Sequence, residues 1–237
     1  MSTRASVNSA VAAEDDDLAE MPGGERAYQS LIRAISRGEL KSGTRLREID
    51  VVGRTGLSRT PVRAALARLE EQGLVVNDSA RGLIVAELDQ GAVCELYAMR
   101  EVLEGTAARL AARHASDVEI AILREIIERD ATLTDAHALA ENNRLFHATL
   151  YRSSHNRYLL KMLRSIHEAM LLLGQTTLAA AGRPDASRHE HSELVAALER
   201  HDAEAAERCA RQHIAAALKV RLTLMLSGLA AAPENGG

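Results

Sequence analysis

The chain has 237 residues, 46% of them apolar but only 2% aromatic and none Trp, so it has room for one large or two modest domains with cores of Leu, Ala, Val and Ile, a composition that favours helix over sheet. The net charge of −4 hides an asymmetry: residues 1–23 carry 1 Lys/Arg against 5 Asp/Glu, residues 24–88 carry 11 against 8, and residues 89–228 carry 17 against 19. Cys94 and Cys209 make no metal or redox spacing and suggest a reduced, intracellular protein; no basic start leads into an apolar run, so no signal peptide is expected, and no stretch approaches the ~20 apolar residues of a membrane span.

Residues 1–24, with the acidic run Glu14 to Asp17 and Pro-Gly-Gly at 22–24, read as a disordered arm. Tyr28, Leu31, Ile32 and Ile35 predict a first helix over 25–37, ended by Gly38. A second helix is predicted over 47–54, followed by the turn Thr55-Gly56-Leu57. The third begins at Ser58, placed as an N-cap, with Pro61 in its first turn and Gly73 as its stop. Val62, Ala65, Leu66 and Leu69 share one face at helical spacing. Arg59, Thr60 and Arg63 point away from it. Two guanidinium groups and a hydroxyl at the N-terminal end of an anchored helix suit major-groove reading: Arg forks onto guanine, and a helix N-terminus favours phosphate. Leu74-Val75-Val76 and Leu83-Ile84-Val85 are β-prone runs around a turn-rich tip, a two-stranded wing with Arg81 and Gly82 placed toward phosphate or the minor groove. Residues 25–88 thus predict a winged helix-turn-helix.

These residues carry a resemblance. Ser58-Arg59-Thr60-Pro61-Val62-Arg63, Ala65-Leu66, Leu69-Glu70 and Gly73-Leu74-Val75, with Ile35, Gly38, Leu40, Gly43 and Leu46 upstream, resemble the winged helix of GntR-type bacterial transcription regulators. Ser42 stands where the family usually has Pro, and Ala64 where it usually has Glu. The resemblance implies that Ser58, Arg59, Thr60 and Arg63 read bases or phosphates and that Arg81-Gly82 is the wing tip.

Asp89 is placed to cap a helix over 90–114 whose apolar face, Val93, Leu96, Tyr97, Leu103 and Ala107, contains Arg100. A guanidinium there needs a partner: either Glu104 one turn on, or an anionic ligand. Ser116-Asp117-Val118-Glu119 is a capping box opening a helix to Asp130. Further helices are predicted over 135–153, from Asn156 to about Leu178, from a second capping box at Ser187 to Arg200, and over 203–227, the last two joined by a tight turn at His201-Asp202. Residues 89–228 read as an all-helical bundle of about six helices for effector binding and dimerisation, and residues 229–237 as a flexible tail.

Three of the nine histidines sit on apolar faces: His147 with Leu139, Phe146 and Leu150, His191 with Leu194, Val195 and Leu198, and His213 with Ala206, Cys209, Ala217 and Val220. Asn143 lies one turn before His147. His191 and His213 stand at equal distances on either side of Asp202, so an antiparallel hairpin brings them to the same height. With the Asn143/His147 helix packed alongside, all four side chains can converge on one point, as a Zn²⁺- or Ni²⁺-like ion requires, with Mn²⁺ a further option. His167 also faces inward and is a fifth candidate. The other reading of each histidine is an ordinary core residue.

Met99-Arg100, Leu103-Glu104 and Ala107, then Asn143, Phe146-His147, Leu150, Asn156 and Leu159, and finally Glu190-His191 and His213 resemble the FCD ligand-binding domain of the FadR-like branch of GntR regulators. By that resemblance His147, His191 and His213 hold a divalent metal, Asn143 occupies a place that is usually acidic, and Arg100 anchors a small carboxylate effector. It also implies a cytoplasmic, nucleoid-associated homodimer on a palindromic operator, with ligand binding shifting the two recognition helices. Two other functions fit parts of the sequence: a DNA-binding dimer without effector, in which the histidines are core, and a metal-dependent hydrolase, for which no general base other than Glu190 is in view.

Overall fold

The computed structural model describes residues 21–174 and 176–231, with side chains through residue 227. Calls for residues 1–20 of the arm and 232–237 of the tail lie outside the described residues. By contact the chain divides into two units, the first comprising residues up to Glu87 together with Glu168–Gly174, the second Leu88–His167 with the residues after Gly174.

The first unit is built as the apolar spacing dictates. Helices α1 (Gly23–Ser36), α2 (Glu48–Thr55) and α3 (Arg59–Glu71) precede an antiparallel pair, β1 (Val75–Asp78) and β2 (Gly82–Val85). Leu31, Val51, Val62, Leu69, Leu74 and Val85 are fully or almost fully buried. The Arg68 guanidinium lies 3.6 Å from the Tyr28 ring centroid and its Nη1 donates to Glu25 at 2.6 Å, locking α3 onto α1 by cation–π contact and charge. Three features depart from expectation. The wing has a third participant: Arg45 bridges Ile84, and Leu46 N–H donates to Leu83 O. The strands also run further, because the Asp78 carboxylate accepts from the N–H groups of Ala80 and Arg81 and tightens the tip to residues 79–81. Helix α1 begins at Gly23, two residues inside the stretch expected to be an arm.

The second unit contains α4 (Gln90–His114), α5 (Asp117–Asp130), α6 (Ala136–Ser153), α7 (Arg157–Met170, its last three residues counted with the first unit), α8 (Arg183–Glu199) and α9 (Ala203–Ala231). The expected caps are in place: Asp89 accepts from Ala92 N, and Asp135 from Ala138 N. Both bonds of the Ser116/Glu119 capping box are present. A Ser116→Ala variant is expected to lose about 1 kcal/mol, read as a lower thermal midpoint; an unchanged midpoint would show that the α5 terminus contributes nothing.

Helices α4 and α9 run antiparallel. Arg211 of α9 approaches Glu101, Arg109 of α4 pairs with Glu204 and Glu207, and His201 Nδ1 lies 3.0 Å from Ala112 O. Ala107, Ala108, Ala111 and Ala112 share one buried core with Ala203, Ala206 and Ala210, and a Cβ added at Gly105 would come within 3.0 Å of Arg211 Cγ. Small side chains let the two helices approach closely, which is how this core manages with so few aromatics.

Two expectations are overturned here. The helix from Asn156 ends at Met170, followed by short 3₁₀ turns at Leu171–Leu173 and Thr177–Ala179. Gly174 has φ +64°, and Thr176 caps the second turn through its hydroxyl; both residue types compete with helix continuation. Ser187 opens no helix: α8 starts at Arg183 with Pro184 in its first turn, and Ser187 is buried in its interior. The Gly-Arg-Pro sequence is therefore a helix start, the position Pro tolerates best.

Candidate nucleic-acid interface and candidate metal centre

On α3 the buried residues are Val62, Ala65, Leu66 and Leu69, while Ser58, Arg59, Thr60 and Arg63 are exposed. Ser58 has the extended backbone of an N-cap, but its hydroxyl makes no capping bond, correcting the expected cap, and the first turn holds no acidic residue. Glu48 of α2 gathers both arginines, 2.7 Å from Arg63 Nε and 3.8 Å from Arg59 Nε. This carboxylate sets the guanidinium groups side by side and raises the Arg63 pKa through its hydrogen bond. Arg81 is turned back along the wing, 3.2 Å from Asp78 and 3.4 Å from Glu87; Gly82, at φ +75°, begins the return strand.

In the second unit His147 of α6, His191 of α8 and His213 of α9 come together at 5–6% exposure. Their ring centroids are 4.6–5.3 Å apart, and one nitrogen from each lies within 4.8 Å of the others. The hairpin argument for His191 and His213 is thereby realised. Each ring has a neighbour outside the cluster. His191 stacks on Phe146 at 4.0 Å and 19°. His213 Nδ1 is 2.6 Å from Glu190 Oε2, which assigns the proton to Nδ1 and leaves Nε2 a lone pair. His147 Nδ1 is 3.0 Å from Glu104 Oε2. Carboxylates on the outer nitrogen are the usual means of orienting metal-binding imidazoles. Asn143 is half-buried one turn before His147, whereas the neighbouring Asn142 is committed to Arg129, Asp130 and Ile126 O. His167 is not among the three converging histidines.

Arg100 makes the local pair, donating from Nε to Glu104 Oε1 at 2.8 Å. The alternatives left by the sequence are joined in one structure, because Glu104 in turn touches His147. Burial alone would raise the Glu104 pKa; Arg100, then His147, outweighs it and holds the carboxyl well below its usual range. Burial pushes His191 far down and His213 down to about 4. It takes His167 down to about 4 as well. Neutral imidazoles offer lone pairs at neutral pH. Both ring nitrogens of His147 and Nε2 of His191 are buried without a hydrogen-bond partner, the 3.0 Å approach of Glu104 to His147 Nδ1 being an ion-pair contact outside hydrogen-bond geometry; such atoms are costly unless something else fills that place. The residues present therefore fit a divalent ion.

Sequence reasoning treated Glu104 as a partner only and passed over Arg183. The signal for Glu104 was its place one turn from a buried arginine. For Arg183 there was none, since it stands in the stretch between the expected helix to Leu178 and the expected start at Ser187.

A winged helix-turn-helix joined to a helical domain with a buried histidine cluster defines a DNA-binding transcription regulator with a ligand-binding domain. Residues 24–85 match the bacterial regulatory proteins of the gntR family, and residues 95–216 match the FCD domain. The chain belongs to the GntR family, as an FCD-domain member, and the family consists of regulators rather than enzymes. It is 31% identical to the HTH-type transcriptional regulator McbR of Escherichia coli over 74% of this chain and 81% of that one. It is 35% identical to the Nta operon transcriptional regulator of Aminobacter aminovorans, over 54% of this chain and 62% of that one. The solved structure of E. coli McbR/YncC superposes with a TM-score of 0.75 at 24% identity, covering 86% of this chain and 99% of that one, a likeness of fold. Among the described residues no helix is long and apolar enough to cross a membrane.

Proposed function

We propose that this regulator senses a small carboxylate through a divalent metal held by His147, His191 and His213, with Asn143 as a neutral fourth donor and Arg100 as the effector's anchor. Zn²⁺ or Ni²⁺ suits an imidazole-rich set, and Mn²⁺ is the hardest ion it would take. The observation that carries the reading is the convergence of three buried imidazole nitrogens within 4.8 Å of one another, with carboxylates behind two of the rings. When bound, the ion supplies a Lewis-acidic charge for a carboxylate oxygen. Glu104 and Glu190 sit behind two of the rings, and burial lowers the pKa of His191 and His213. The exposed Arg59, Thr60 and Arg63, with Ser58 and the Arg81-Gly82 tip, engage operator DNA; a homodimer would place two such faces on a palindrome.

The test is thermal melting of metal-stripped protein with Zn²⁺, Ni²⁺ or Mn²⁺, alone and with a panel of carboxylic acids. A ligand that binds only the folded state adds about 2.7 kcal/mol at a hundredfold excess over its Kd. A metal-induced rise that vanishes in His191→Ala, a further rise from an acid only when metal is present, and a changed affinity for operator DNA are expected. No rise with any ion would reduce the histidines to core residues.

A further inference from the structure

The chain enters the first unit against α3. A Cβ added at Gly23, the first residue of α1, would meet the Pro61 ring at 3.3 Å, and one added at Gly24 would meet Ala64 Cβ at 3.9 Å. The start of α1 therefore lies directly on the first half of α3. At 3.6 residues per turn, Pro61 and Ala64 form one flank of the outer face of α3, Arg59 and Arg63 form the other, and Thr60 stands between them. Glu48 of α2 borders the arginine flank.

A carboxylate already fits this face, and there is room for more. Arg47, Arg54, Arg68 and Arg81 each have an acidic partner of their own, whereas Arg59 and Arg63 share the single carboxylate of Glu48 and keep 72% and 67% of their side-chain surface exposed. The first turn of α3 holds no acidic residue and Ser58 makes no capping bond, so negative charge is favoured at this end of the helix. The sequence just upstream supplies it. Glu14, Asp15, Asp16, Asp17 and Glu20 precede Gly23, with Arg4 the one basic residue among them. Asp17 stands six residues before Gly23, up to about 20 Å of chain, and a helix with its side chains is about 10–12 Å across. The acidic run thus reaches from one flank of α3 to the other. A tether this short gives it an effective concentration on the order of millimolar, enough for weak carboxylate–guanidinium contacts to form.

We infer that the acidic run Glu14 to Asp17 docks on Arg59 and Arg63 of its own chain when DNA is absent, its carboxylates standing where backbone phosphates would, and that DNA must displace it to reach α3. The inference rests on α3 being the DNA-reading face, as proposed above, and adds what occupies that face beforehand.

The test is a full-length variant carrying Glu14→Gln, Asp15→Asn, Asp16→Asn and Asp17→Asn, compared with the wild type by fluorescence anisotropy on a duplex of random sequence. The variant is expected to bind about tenfold more tightly at low salt, with the gap narrowing as added salt screens the docked carboxylates. In an Arg59→Ala/Arg63→Ala background the same four changes should leave binding unaltered. Without DNA, amide NMR spectra of wild type and variant should differ at Ser58 to Arg63. A gap that persists without the two arginines would mean that the acidic run only repels DNA from a distance, and the inference would fall. Equal affinity of wild type and variant, or amide spectra that coincide along α3, would also overturn it, with the reading face left standing. Should removal of the two arginines leave the DNA affinity of the variant as it was, the reading face itself is misplaced and both readings fail.

Discussion

Glu104→Ala is expected to destabilise the helical domain by about 3–5 kcal/mol, the range for breaking a buried ion pair by removing one partner. Glu104 is 3% exposed and Arg100 6%, so the guanidinium left behind would have neither water nor a counter-charge. Burial already disfavours the Arg100 cation, and Glu104 is the main group that restores it. A methyl group offers nothing in exchange, and the space left behind adds a cavity cost. Glu104→Gln keeps the shape and one acceptor for Arg100, at the cost of the charge and of the second acceptor oxygen, so its loss should be smaller than that of Glu104→Ala. Both variants should bind metal ~10–100-fold more weakly, because His147 loses the group that orients it. Urea unfolding followed by far-ultraviolet circular dichroism gives the first quantity and chelator competition the second. A Glu104→Ala protein as stable as the wild type would mean that water reaches Arg100.

The second large effect concerns DNA. Arg59 and Arg63 have 72% and 67% of their side-chain surface exposed, so removing them should leave the fold intact. Each Arg→Ala change is expected to cost about 1–3 kcal/mol of binding, which for the pair is ~10²-fold or more. A guanidinium on a phosphate should also lower the slope of log affinity against log salt by about one; one that reads a base should instead relax selectivity at a single position. Glu48→Ala should act in the opposite direction, since it removes a carboxylate that competes with DNA for both arginines. Fluorescence anisotropy at several salt concentrations, on duplexes selected from random sequence by the wild type, separates these cases. Wild-type affinity in the double variant would place the DNA-binding face elsewhere.

The DNA-binding half was legible because its signals are local. The buried face of α3 follows from four apolar residues at helical spacing, and the exposed arginines are what that face leaves over. The histidine cluster was legible for a different reason: His191 and His213 are equidistant from one tight turn, and an antiparallel hairpin converts that spacing into proximity. The failures occur where local chemistry serves two readings. Gly182-Arg183-Pro184 breaks one helix or begins another, and the choice depends on whether Arg183 finds Glu190, a residue two turns away. Ser187 looked like a cap because a Glu stands three residues on, yet α8 was already under way. The third participant of the wing, Arg45, has no strand-like run around it, and only β2 gives it a role. The charge relays behind His147 and His213 are tertiary facts, invisible until α4 lies beside α6 and α8 beside α9.

Gly105 adjoins Glu104, and the space its missing side chain leaves is taken by Arg211 of α9. The same two helices carry the cluster's opposite ends: α4 bears Arg100 and Glu104, α9 bears His213. The alanine- and glycine-lined seam therefore works as a gauge block, setting how far one carboxylate relay stands from the other. An added methyl at Gly105 has to displace Arg211, and that displacement falls on the spacing of the two relays. The spacing of the histidine cluster would then be lost before the bundle itself gave way, so the least chemically active residues in the domain would govern its geometry.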